Sequence, residues 1–582
     1  MIRSALLGLA LAAAMTPAAQ GQRPSSATTW PANTPPGEWH LAGRDYGSTR
    51  HSPLTQLTPA NVGGLKAAWT FSTGQLGPHE GNPLVIGSLM YVHTPFPNAV
   101  FALDLAKPGA PLAWSYAISA ASARTSPPTG CCDVGSRGVA YHPSGKIYVA
   151  LLQGELAALD AKTGKEIWRV KNADGKLGAT MSAAPLVVKD LVIVGTSGSE
   201  FGVRGALTAY QALTGQQVWR AYHTGPDSDV LIDGEANIQY PSHRGRDLGV
   251  SSWPGEEWKR GGATAPGWIS YDPDLDLIFY GTDHPGPYNA SLRPGDNKWS
   301  ASIFAREAGT GKVRWAYQVT PHDQWGYDAS NENVLADLTI GGKLVKALVH
   351  FDRNGFAYTI DRTIGRVLLA ERFGPANWTS RIDLSSGQPV VDPRFAQKAG
   401  PTSGICPAAI GAKGLNPTSF SPTASLFFVG IGNLCMDLTP TVATFVPGKP
   451  YSGATIKMTS AAGPNRGRVI AWDAVTGAVA WQVQEGYPVT GGTLSTAGGL
   501  VFYGTMDGWL KAVDAKSGVE FWRFKTPSGI VGSPITFVGP DGKQYVAVMA
   551  GIGGWIGLGA NGAFPKMAEI SNPGGTLIVF GL

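Results

Sequence analysis

Two cysteines stand side by side in this chain, Cys131 and Cys132. If they bond to each other they close an eight-membered ring with a distorted peptide, a strain on the order of several kcal/mol. A fold keeps such a ring only where it does something. The pair heads the string Cys131-Cys132-Asp133-Val134-Gly135-Ser136-Arg137-Gly138. The remaining cysteines are Cys406 and Cys435. Four thiols allow three pairings. The simplest is 131 with 132 and 406 with 435, and the sequence alone leaves the choice open.

The elements that carry this pair are repeats. Ala158-Leu159-Asp160-Ala161-Lys162-Thr163-Gly164-Lys165-Glu166-Ile167-Trp168 recurs with the same frame at 209–219, 305–315, 471–481 and 512–522. Weaker copies end at Trp69 and Trp114, and another runs through Thr359-Ile360-Asp361-Arg362. Each copy predicts strand, tight turn, strand, with the Trp beginning the second strand. Apolar runs such as Leu191–Val194 and Leu500–Tyr503 predict buried strands between the copies. One four-stranded unit cannot cover both of its faces, whereas a ring of such units can. The expected fold is therefore all-β: an eight-bladed β-propeller with each Trp wedged between blades. The segments 224–262 and 375–425 interrupt the repeats and predict loops over one face, where ligand sites concentrate.

Composition agrees. The 582 residues include 77 Gly, 43 Pro and 18 Trp, and only 15% are charged. Many turns and aromatics with few charges suit short strands. The net charge of +5 and pI of about 8.8 are mild, and no Lys/Arg block tracks a nucleic-acid backbone, so a nucleic-acid partner is excluded. Residues 1–21 have the form of a secretory signal: Arg3, an apolar run from Ala5 to Met15, then small residues. No other stretch predicts a membrane span. The expectation is export to a periplasm, with residues 22–582 as a single propeller domain. No Cys-x-x-Cys-His is present, so electrons released by redox chemistry would leave on a separate carrier.

Several strings then carry a resemblance. They are His79-Glu80-Gly81, the Cys131-Cys132 pair, Ser197-Gly198-Ser199-Glu200 and Arg293-Pro294-Gly295-Asp296-Asn297-Lys298-Trp299. Pro321-His322-Asp323, Asp352-Arg353-Asn354-Gly355 and Gly553-Gly554-Trp555 complete the set. Over nearly all of the mature length the chain resembles the quinoprotein alcohol dehydrogenases, the methanol/ethanol dehydrogenase family that uses pyrroloquinoline quinone (PQQ). The resemblance implies that Cys131–Cys132 walls a flat PQQ slot and that Cys406–Cys435 is a structural bridge. It implies that Glu80, Arg137, Ser182, Ser197, Gly198, Ser199 and Thr264 hold the cofactor's polar groups. Arg353 would sit over the quinone oxygens and Trp555 near the cofactor edge. Glu200 would bind a metal, calcium or a lanthanide, and hydride would pass from a small-molecule alcohol to PQQ. Electrons would then go to a cytochrome c or similar acceptor. The chemistry suits the residue types, because PQQ carries three carboxylates and a hard cation prefers oxygen ligands.

Three departures from the family pattern fall in the site. Pro266 stands where relatives stack a Trp on the cofactor. His284 stands where they have an Asn metal ligand, with Asp283 beside it as a possible substitute. Gly326 stands where they have the catalytic Asp. Glycine is no base, so Asp328 is expected to serve as both base and metal ligand: in an extended segment, alternation places 326 and 328 on one side. Gly414-Leu415 also replaces a frequent Asn-Trp. All these changes widen the pocket and predict a substrate bulkier than methanol. The alternative is a propeller that binds PQQ or a partner with impaired catalysis.

Overall fold

In the computed structural model, residues 34–119, 130, 134–234, 236, 239–554, 563 and 567–582 are described. Cys131, Cys132, Trp555 and the expected signal segment lie outside the described residues.

Among the described residues, eight antiparallel sheets of four strands follow one another, one of them extended by a parallel two-residue edge strand (His51–Ser52). Two smaller sheets of two and three strands accompany them. Six of the large sheets are meanders of consecutive strands; in a seventh, two strands of the three-stranded sheet intervene between Leu426–Gly432 and Gly467–Asp473, and the eighth is assembled from distant parts of the chain. The strand Lys66–Ser72 pairs with Thr576–Gly581, so both ends of the chain share a sheet with Ile535–Val538 and Gln544–Ala550. That pairing holds the ring closed and removes the open edges a linear stack would expose. The architecture is a β-propeller.

The repeats explain themselves at the seams. Asp160 N donates to Lys165 O, and Gly164 N to Asp160 O, which closes the tight turn. Gly164 adopts φ +71°, a region that glycine enters at little cost. Trp219 is the third residue of Gln217–Tyr222, inside that strand rather than at its start, and pairs with the small Ala209. Its indole N–H crosses the seam to Ala308 O at 2.9 Å, and its ring lies over Gly311, where a Cβ would fall 2.7 Å from the ring. The same crossing joins Trp114 to Ala161, Trp168 to Ala212, Trp315 to Arg362, Trp481 to Ala515 and Trp522 to Leu65. In the copy through Thr359, the Trp position pairs as Thr359↔Leu369, and Leu369 lies against Gly477 of the next copy. In five copies the Trp of one repeat covers the Gly of the next, at Gly164, Gly215, Gly311, Gly365 and Gly518, and there the motif encodes both halves of a seam.

The expected loops carry more structure than the sequence suggests. Among the described residues, segment 224–262 holds four short helical turns, including Asp227–Val230 and Leu248–Ser251. Segment 375–425 contributes the hairpin Thr379–Asp383/Gln388–Val391 and the strand Thr402–Ile405. Cys406 and Cys435 form a disulfide beside that strand.

Candidate active site

In an antiparallel meander, the start of the first strand and the end of the second lie at the same end of the sheet. The expected site residues occupy those two positions in successive sheets. Glu80 precedes Leu84–Ile86, Arg137 precedes Val139–His142, and Ser182 and Ser197 flank Leu186–Val188 and Leu191–Gly195. Pro266 precedes Ile269–Asp272, and His284 follows Leu277–Gly281. Asp328 precedes Asn333–Ile340, and Arg353 follows Lys343–Phe351. Residues hundreds of positions apart therefore meet at one end of the ring.

There they line a cavity of about 830 Å³, its open mouth included. Glu80, Arg137, Ser182, Ser197, Gly198, Glu200, Pro266, His284, Asp328 and Arg353 all face it, together with Asp283, Tyr288 and Leu415. A second hollow of about 770 Å³ shares Glu80, Arg137, Arg353 and Leu415 with the first, and adds Ile410, Leu434, Val489 and Val531. Ser199 and Thr264 stand behind the wall. Both are fully buried, and their hydroxyls bond to each other at 3.0 Å.

One wall is a chain of charge-assisted bonds. The Arg137 guanidinium pairs with Glu80 at 2.9 Å and donates to Ser182 Oγ at 2.8 Å; Ser182 Oγ lies 3.0 Å from Ser197 Oγ. Gly135 and Gly554 leave room for the Glu80 carboxyl, since a Cβ on either would fall 2.9 and 2.8 Å from it. On the far side, Arg353 Nη1 holds Asp328 Oδ2 at 2.7 Å. Gly411 lets Arg353 in, because a Cβ there would stand 2.6 Å from its Cγ.

The floor departs most from expectation. The main-chain N–H and Nδ1 of His284 both lie 2.7 Å from Asp328 Oδ1, and Tyr288 stacks on the imidazole at 4.5 Å. Burial alone would raise the Asp328 carboxyl, but Arg353 and His284 outweigh it and hold it below the usual carboxylate range. Asp283 goes the other way: burial and the neighbouring Asp328 charge push it up, while Thr264 and Ser330 donate to its oxygens at 2.5 and 2.7 Å. Gly326 is not extended. It has φ +82°, and a Cβ there would overlap the Tyr288 ring. The alternation argument therefore fails at 326. What aims Asp328 is Asp323, whose carboxylate accepts the N–H groups of Trp325, Gly326 and Tyr327. Tyr288 had no sequence signal of its own; it matters because it occupies the space that Gly326 leaves. Trp268 does not face the cavity and donates its indole N–H to Leu415 O at 2.8 Å.

Two guanidinium groups, paired hydroxyls and glycine-cleared space suit a flat molecule bearing several carboxylates. The residues present fit PQQ. The metal set is different. Glu200, His284 and Asp328 share the cavity, yet among the described residues no three His, Cys, Asp or Glu side chains stand close enough together to hold an ion. Both Asp328 oxygens are held by nitrogen donors, and imidazole is a poor ligand for a hard cation. These three residues do not fit a calcium or lanthanide ion.

A β-propeller whose sheet ends converge on a polar cavity lined by two arginines and paired hydroxyls belongs to the cofactor-binding propellers. The family described as "Glucose/ethanol/alcohol dehydrogenase, beta-propeller domain" matches residues 39–405 and 482–546. A lanthanide-dependent methanol dehydrogenase of Methylacidiphilum fumariolicum (strain SolV) is 50% identical over 528 residues, 90% of this chain and 86% of that protein. The quinohemoprotein alcohol dehydrogenase ADH IIB of Pseudomonas putida is 37% identical over 100% of this chain and 82% of its own length. Among solved structures, a europium-containing methanol dehydrogenase superposes with a TM-score of 0.91 at 48% identity, covering 94% of this chain and 98% of that one. The chain belongs to the PQQ-dependent alcohol dehydrogenases, and it is an enzyme of that class.

Proposed function

We propose that this enzyme oxidises an alcohol bulkier than methanol to an aldehyde or ketone in the periplasm, and passes the electrons to a cytochrome c. Within this reading residues 22–582 form one eight-bladed domain behind a signal segment, 1–21. Among the described residues no helix is long and apolar enough to cross a membrane. Relatives are named as methanol dehydrogenase [cytochrome c] subunits, which supports the choice of acceptor.

The observation that carries the substrate reading is the pair of adjacent hollows, which share Glu80, Arg137, Arg353 and Leu415. Leu415 lies on their shared wall, and the second hollow continues into Ile410, Leu434, Val489 and Val531. Pro266 covers less area than an indole would, and burying a hydrocarbon tail contributes about 0.8 kcal/mol per CH₂.

In the same reading Arg137, Ser182 and Ser197 hold the cofactor's carboxylates and carbonyls, with Arg353 as the second cation and the Gly198 main chain beside them. Cys131, Cys132 and Trp555 keep the roles the resemblance gives them. When bound, PQQ supplies the two-electron acceptor for hydride. The chain's own task is to bind its anionic groups, orient the alcohol and accept the hydroxyl proton. The relatives' names carry lanthanide and europium.

One experiment tests the substrate. The purified protein, reconstituted with PQQ plus calcium or plus a light lanthanide, is offered a panel of primary, secondary and cyclic alcohols, with dye or cytochrome c reduction as the readout. Larger alcohols should show the higher kcat/KM, and methanol as the best substrate would rule the reading out. A second reading, a propeller that binds quinone with impaired turnover, is favoured by Gly326 at the expected base position. A bound quinone spectrum that no alcohol bleaches would select it.

A further inference from the structure

We infer that His284 is the catalytic base of this chain: its Nε2 takes the alcohol's hydroxyl proton while Asp328 positions the ring. The inference rests on the alcohol-oxidation reading above and fills the gap left by Gly326.

The geometry points one way. His284 is 6% exposed, faces the cavity, and its Nε2 has no hydrogen-bond partner. Buried polar atoms almost always have partners, so a buried orphan on a residue that lines the cavity is an atom that a ligand can complete. The other ring nitrogen is held: Nδ1 meets Asp328 Oδ1 at 2.7 Å, and the His284 main-chain N–H meets the same oxygen. A carboxylate is an acceptor, so the proton of a neutral ring sits on Nδ1 and leaves a lone pair on Nε2. Tyr288 stacks on the ring and fixes its plane. Arg353, bound to the other Asp328 oxygen at 2.7 Å, keeps that carboxylate ionised and in place. A carboxylate that holds the second nitrogen of a proton-accepting imidazole is the orienting half of a well-known catalytic pair.

The step balances. Nε2 accepts the hydroxyl proton and the C=O bond forms. The carbinol C–H bond breaks, its electron pair leaving as hydride to the bound quinone, which is reduced by two electrons. The proton on Nε2 then passes to solvent. The charged and titratable groups around the ring are Asp328, Asp283, Asp323, Arg353 and Tyr288. Burial opposes a charge on the imidazole, but Asp328 outweighs it, so the ring keeps a proton to higher pH than free histidine. Reduction of the quinone should therefore climb with pH as that proton is lost.

Three measurements on the full chain test this. The first is nitrogen NMR of histidine-labelled apoprotein, with His284→Gln assigning the signal. The neutral ring should carry its proton on Nδ1, and a proton on Nε2 would overturn the inference. The second is single-turnover reduction of bound PQQ by alcohol. His284→Gln should bind quinone normally, lose about 10²–10⁴-fold in rate, lose the pH dependence, and recover part of the rate with added imidazole. Asp328→Asn should bind quinone, lose rate, and move the pH profile and the tautomer. An unchanged rate and profile in His284→Gln would overturn the inference. The third is titration of the apoprotein with europium or calcium ions. One-to-one uptake abolished by either variant would make these residues metal ligands and overturn it as well. A wild type that reduces quinone with no alcohol would sink the alcohol reading instead, and the tautomer would then decide whether Nε2 is the accepting atom.

Discussion

The seams between sheets and the floor of the cavity are built from the same materials, aromatic rings and polar groups held out of water, and they differ in completeness. At the Trp219 seam the indole N–H reaches Ala308 O and the ring covers Gly311, so the one polar group of the Trp is satisfied. At the floor, Tyr288 covers His284 and Asp328 holds Nδ1, yet Nε2 is left without a partner. Satisfied polar groups lend rigidity, whereas an unsatisfied one is costly unless a ligand supplies the missing bond. The seams hold the ring together, and the floor keeps one bond in reserve for what enters the cavity.

A substitution at a seam should therefore cost stability and spare binding. In Gly311→Ala the new methyl group would have to adopt φ +72° and would stand 2.7 Å from the Trp219 ring. Left-handed strain and overpacking together should cost about 3 kcal/mol. Gly342→Ala is the control. Its φ is +78° with nothing within 4 Å, so only the strain, about 1–2 kcal/mol, remains. Denaturant midpoints should separate the two while quinone affinity stays that of the wild type. Equal losses would mean that the Trp–Gly seam is not what closes the ring.

The converse belongs to the cavity wall. Arg137→Gln removes the ion pair to Glu80 and the bond to Ser182. A lost charge-assisted bond is worth about 1.5–3 kcal/mol, so quinone affinity should fall about 10–100-fold. Absorbance titration of the apoprotein measures it. The denaturant midpoint should move far less than in Gly311→Ala, and a larger fall in stability than in affinity would erase the distinction between wall and seam.

That distinction also explains what the sequence made legible. The seam is local on both sides: the turn, its Gly and its Trp fall within eleven residues of one copy, so repetition exposes the fold. The wall was legible because Glu80, Arg137 and Arg353 are long charged side chains in distinctive strings. The floor was not. His284 and Asp328 are 44 positions apart. Their contact depends on the Asp323 turn that aims 328, and on Tyr288 filling the space that Gly326 vacates. Substituted position by position, His284 and Gly326 look like two losses from the family pattern. In space they belong to one rearranged cluster.

The smallest expected effect lies in a frequent but dispensable feature of the turns, the Asp. In Asp514 the side chain accepts the N–H groups of Lys516 and Ser517 and the Ser517 hydroxyl, at 3.0, 2.8 and 2.8 Å. Yet the turn is closed by main chain alone: Gly518 N donates to Asp514 O at 2.9 Å. The same closure appears from Gly215 to Gln211 and from Gly311 to Glu307, copies that have no Asp at this position. Asp514→Ala should therefore cost only about 0.5–1 kcal/mol, as the loss of a local side-chain cap does, and leave the Trp481–Ala515 bond in place. A denaturant midpoint that fell as far as that of Gly311→Ala would show that the side chain, and not the glycine, sets the turn on which the neighbouring Trp docks.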